Sequence, residues 1–164
     1  MTAHHSAART AAFTAWRDQA DAATRHAHRL VTEMTTRAGA QPAVTTDPWL
    51  GEQLAALLLA LLDGTAQMCP HLTVHAPAVV HAALWAPGRL VCGGCIPSLH
   101  PTPAEDRICD RCRHTPDAIH SAAFQAGPLV VVMGLCPPCI GQINATPARP
   151  SQPRRRADHR GDRR

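Results

Sequence analysis

Seven cysteines dominate the chemistry open to this chain. Six of them form the steps Cys92/Cys95, Cys109/Cys112 and Cys136/Cys139, each with two residues between the thiols. The seventh, Cys69, is separated from His71 by a single proline. With His71 counted, every thiol belongs to a close pair, and four pairs are what two four-coordinate metal sites need. Zinc takes four nitrogen or sulfur donors in a tetrahedron, and a short Cys-x-x-Cys turn offers two thiolates to one ion at ~2.3 Å. The odd cysteine count and the absence of a visible export signal argue against a disulfide framework. The expected cofactor is therefore a pair of zinc ions, with Cys69, His71, Cys92, Cys95, Cys109, Cys112, Cys136 and Cys139 as ligands. His75 is the alternative to His71 as the eighth donor. Spacing favours His71, while His81, His100 and His114 are read as solvent-facing.

Other thiol chemistries fit less well. Cys136-Pro-Pro-Cys139 after the run LVVVMGL is similar to a thioredoxin-type redox motif, but the βαβ pattern of that fold is missing and three further pairs accompany it. Iron–sulfur runs cluster three cysteines closely, whereas these pairs are dispersed. A catalytic zinc keeps an open position beside an acid or base. The acids of this region, Glu105, Asp106, Asp110 and Asp117, form no recognised pairing with a ligand. The expectation is a structural role for the metal and no enzymatic activity.

The elements that must position these ligands follow from the intervening sequence. Between the third and fourth pairs, strand patterning gives way to a turn at 125–128, then to the β-branched run Leu129 to Met133. A short helix follows from Cys136 to Ile143. A cysteine turn, a hairpin and a cysteine pair at a helix start together resemble the treble-clef zinc finger, a resemblance confined to the cysteine region. The first two pairs look like a worn copy: an apolar stretch after His71, a turn at 86–89, the strand Leu90-Val91 and a short segment from Ile96 to Leu99. The resemblance implies an internal duplication with sequential sites, Cys69/His71/Cys92/Cys95 and Cys109/Cys112/Cys136/Cys139. A cross-brace of the RING-finger kind is the rival, but its Cys-x-His element lies in the middle, and here it comes first.

Upstream, residues 8–38 read as a long amphipathic helix with Phe13, Trp16, Ala20, Ala23, Ala27, Leu30 and Met34 on one face. Gly39 provides the stop. Asp47 as N-cap and Pro48 at the first position open a second helix, whose apolar face runs from Trp49 or Leu50 through Leu54, Leu57, Leu58, Leu61 and Leu62. The simplest packing is an antiparallel helical hairpin. The expected class is α+β: a flexible N-terminus (1–7), a helical hairpin (8–66), a two-zinc domain of two tandem β-hairpin fingers (67–144) and a disordered Arg/Pro-rich tail (145–164).

Charge narrows the partners. The tail holds seven arginines against Asp158 and Asp162, a net of +5, while the whole chain carries +4, so residues 1–144 carry −1. Seven thiolates on two divalent ions would take this part a further three units negative. The basic balance belongs to the tail. These features point to an adaptor module binding a macromolecular partner, with a protein partner foremost. Nucleic-acid binding through the tail, with Arg107, Arg111 and Arg113 as a second contact face, is the alternative. A homodimer seam along helix 8–38 is a further expectation. The longest apolar run, Leu54 to Leu62, is shorter than the ~20 residues that span a bilayer, so no membrane is expected and the location is read as cytoplasmic.

Overall fold

The computed structural model describes residues 2–73 and 75–144. It is mixed helix and sheet, in the order α1 (Thr2–Arg37), α2 (Pro48–Leu62), β1 (Gln67–Met68), β2 (Val80–Ala83), β3 (Arg89–Leu90), β4 (His120–Ala126), β5 (Leu129–Leu135) and α3 (Pro137–Asn144). Short 3₁₀ turns occupy Gly93–Leu99 and Glu105–Arg107. The tail read as disordered, 145–164, lies outside the described residues.

β5 organises the molecule. Its sequence LVVVMGL suits a strand covered on both faces, which reads as a continuous apolar run. β4 pairs with it antiparallel through a two-residue turn, Gly127-Pro128, where Gly127 takes a φ of 58° that a first central glycine supplies without strain. On its other edge β5 pairs in parallel with β2, from Val80↔Leu129 to Ala83↔Val132. β2 is tied back to the end of β3 by an antiparallel bridge, His81↔Val91. β1 and β3 form a small parallel pair.

Side chains of a strand alternate between faces, and the two long helices take one face each. On the first face, Ala27 and Val31 of α1 pack with Val79 and Val130. Gln125, opposite Val130 in the register, donates from its side chain to the Thr24 carbonyl at 3.0 Å. On the second face, Leu57 of α2 packs with Ala82, Leu90 and Val131, and Leu50 with Met133 and Leu135. This corrects the expected hairpin over 8–66, because no buried apolar cluster among the described residues holds side chains of both α1 and α2. A two-sided apolar sheet offers each helix a wider partner than the other helix does. α1 begins at Thr2, ahead of residue 8, where the sequence placed the start of the helix.

The helix ends form as their residues dictate. Asp47 caps α2 by accepting from the Trp49 amide at 3.0 Å, with Pro48 at the start. Gly39 closes α1 at a φ of 70°. The seam expected along α1 is buried only in part. Ala23, Ala27 and Val31 meet the body, while Phe13, Trp16 and Met34 remain exposed.

Candidate metal centres

The eight expected donors converge in two sets. Cys69, His71, Cys92 and Cys95 form one, and Cys109, Cys112, Cys136 and Cys139 the other, the donor atoms of each lying within 4.8 Å of one another. Pairs one and two share a cluster, as do pairs three and four, so the grouping is sequential rather than crossed. All seven cysteines are free thiols. His75 is exposed and stands outside both sets, and His81 is half-buried on β2 rather than solvent-facing.

Both clusters are built by the same local device. In the first, the chain leaves β1 into the Cys69–His71 turn, while Cys92 follows β3 and Cys95 lies in the 3₁₀ turn. The Cys69 amide donates to the Leu90 carbonyl at 2.9 Å, two residues before Cys92. In the second, Cys109 and Cys112 flank a tight turn, Cys136 ends β5, and Cys139 sits in the first turn of α3. The Asp110 amide donates to the Gly134 carbonyl at 2.8 Å, again two residues before the third ligand. The Cys92 amide donates to Cys69 Sγ at 3.3 Å, and the Cys136 amide to Cys109 Sγ at 3.4 Å. The repeated hydrogen bonds make the two halves variants of one pattern. They are fused, because β2 of the first half completes the sheet of the second.

The donor geometry suits a tetrahedral ion. Arms of ~2.3 Å place sulfurs about 3.8 Å apart, and Cys112 Sγ lies 3.9 Å from Cys136 Sγ. His71 presents Nδ1 to Cys95 Sγ at 3.2 Å, so the ring and thiol need to part by only a few tenths of an ångström. Each cluster could therefore hold one metal ion. Surroundings differ: Cys109, Cys136 and Cys139 are buried, whereas His71 is exposed and its three cysteines are half-buried.

Thiol electrostatics also favour a cation. Desolvation raises the thiol pKa at Cys69, but the amides of Cys92 and His71 outweigh it and bring that thiol to about 6. At Cys109 desolvation is likewise outweighed, by the amides of Cys112 and Cys136, and the result is again about 6. Burial, together with the neighbouring thiols, pushes Cys95 up to about 11 and Cys139 to about 12. One thiolate thus forms readily in each cluster and discourages the next. A divalent ion removes this conflict by neutralising the ensemble.

Four contacts around the second cluster have no signature in the sequence. Arg111, inside the Cys109–Cys112 turn, donates to the buried Asp47 carboxylate at 3.2 Å and lies over the Trp49 ring at 5.4 Å. Asp110 accepts from the Gly134 amide at 2.7 Å through Oδ2, and its Oδ1 lies 3.6 Å from Arg113. Burial pushes the Asp110 carboxyl up, with the Gly134 amide and Arg113 opposing. Of the arginines expected on a phosphate-contacting face, Arg111 is thus engaged within the fold, while the Arg113 side chain stays 65% exposed beside Asp110. Asp47 was legible as a cap, but nothing in the sequence connected it to a residue 64 positions away.

Compared with known proteins, the chain matches no family model, and no curated protein or solved structure is significantly similar to it. The class defined by fold and site is a mixed α/β protein with two four-donor Cys/His clusters.

Proposed function

We propose that this chain is a zinc-binding interaction module in which two structural zinc ions, held as Cys₃His and Cys₄, stabilise a treble-clef-like pair of knuckles that serves as an adaptor for a macromolecular partner. The observation that carries the reading is the convergence of all eight donors into two sets, with no donor left over. Four protein ligands per ion leave no open position for water, the arrangement of a structural rather than a catalytic zinc. The core is thin and aromatic residues are only 3% of the chain. Structural zinc contributes an apparent ~10–16 kcal/mol to folding in small domains, which offsets such a core.

Elemental analysis of untagged protein tests the metal reading. Close to two zincs per chain is expected. Iron, or no metal with titratable disulfides, overturns it. A pull-down with the metal-loaded chain tests the adaptor role, which fails if no macromolecule is retained while a small substrate is turned over. Nucleic-acid binding remains a second reading on the strength of the seven tail arginines alone. It requires salt-dependent binding that disappears when residues 149–164 are removed.

A further inference from the structure

α2 carries more apolar surface than the fold uses. Its Leu50 and Leu57 are buried, yet Leu58, Leu59, Leu61 and Leu62 are 50, 57, 41 and 82% exposed. No charged residue interrupts the helix between Glu52 and Asp63. At 100° per residue, Gly51, Ala55, Leu58 and Leu62 fall on one narrow stripe, turned about 120° from the buried Leu50 and Leu57, with Leu59 beside it. The four leucines expose on the order of 400 Å², the size at which an apolar patch marks an interaction site. That is close to the apolar share of the ~800 Å² that each partner gives a standard interface.

The stripe is graded in size along its length, with glycine and alanine in its first half and leucines in its second. Two copies of such a helix laid antiparallel about a two-fold axis place Leu62 of one opposite Gly51 of the other, and Leu58 opposite Ala55, each contact occurring twice. Bulk then meets gap throughout, the condition for interdigitated packing. The chain's own tail offers no alternative cover, since residues 145–164 contain no Leu, Ile, Val, Met or aromatic residue. A bilayer surface is a poorer fit, because interfacial helices present basic residues on the polar face and α2 has none. We infer that the protein is a two-fold homodimer joined through antiparallel α2 helices, with Gly51 and Ala55 receiving Leu62 and Leu58 of the second copy.

Gly51→Leu separates this pairing from general stickiness. A Cβ at Gly51 meets nothing within 4 Å in the monomer, so a side chain can leave the backbone there without a clash, and leucine improves helix propensity. It also adds apolar surface, which would strengthen any nonspecific association. Sedimentation velocity of the full, metal-loaded chain across micromolar concentrations is expected to show a dimer. Gly51→Leu should raise its dissociation constant about tenfold or more by filling the gap, and Leu58→Gln with Leu62→Gln should give a monomer. With circular dichroism unchanged, the loss is then at the interface. A monomer at every concentration overturns the proposal, as does a dimer indifferent to Gly51→Leu, or assembly enhanced by it. Uptake onto vesicles of mixed neutral and anionic lipid in preference to dimerisation overturns it as well.

Discussion

At the scale of single residues, the second cluster depends on a position where a side chain would crowd a neighbour. Gly134 donates to Asp110 and accepts from it, clasping the Cys109–Cys112 turn to β5. A Cβ there would lie 2.9 Å from Ile119 Cγ2, inside contact distance. Gly134→Ala should therefore destabilise by about 1–3 kcal/mol in urea unfolding. Adding Ile119→Leu, which lacks that branch methyl, should recover part of the loss. An unchanged midpoint in the single variant would show that the clasp tolerates displacement. His81 offers a second test. Burial, and then the charge of His26 across on α1, hold its imidazole below the ordinary value of 6.5. The folded state therefore binds fewer protons there than the unfolded chain. The contribution is complete above about pH 6.5 and is lost as pH falls through the depressed folded value. His81→Gln should flatten the acid side of the stability profile relative to the parent. A parallel slope in the two proteins would show that His81 contributes nothing to the acid side.

At the scale of elements, the second cluster is joined to α2 through Asp47, which caps the helix and pairs with Arg111 between two ligands. The Asp47 side chain is 3% exposed and that of Arg111 is 21% exposed. Asp47→Ala removes the cap and leaves a largely buried guanidinium unpaired, so a loss of about 2–4 kcal/mol is expected. Asp47→Asn keeps the cap acceptor and should lose less. If both cost the same, the ion pair rather than the cap carries the effect. This junction shows what the sequence made legible. Asp47-Pro48 announces a helix start through local chemistry, and the β4–β5 hairpin announces itself through Gly127-Pro128 between apolar runs. Four cysteine–donor pairs identify two clusters because metal ligation needs particular atoms at particular spacings. The route of α1 was not legible. Its alanine stripe fits a helix or a sheet equally well, and the strand that completes the sheet, β2, is the unremarkable stretch Val80–Ala83. Its partner β5 lies some fifty residues downstream and pairs with it in parallel, a contact with no local signal.

At the scale of the whole molecule, the two clusters are alike in construction and unequal in consequence. β5, the strand that α1 and α2 both cover, runs directly into Cys136, so the second cluster anchors the central core. The first cluster anchors β1, β3 and the 3₁₀ turn, which lie at the edge reached through β2. Its ligands are also the more exposed, so a chelator reaches them without prior unfolding. Under the zinc reading, Cys95→Ser should yield a chain that holds one zinc and keeps its helical circular dichroism with a lowered melting point. Cys136→Ser should lose the cooperative transition altogether, because a buried thiolate network then lacks its cation. In the parent protein, a chromophoric chelator should draw out the metal in two phases of equal amplitude, with the slow phase coinciding with loss of tertiary signal. Cys95→Ser should abolish the fast phase alone. A single phase, or a fast phase that survives Cys95→Ser, would mean that the shared sheet couples the clusters so tightly that exposure does not order their release. The division into a labile edge and an anchored core would then give way to one indivisible folding unit.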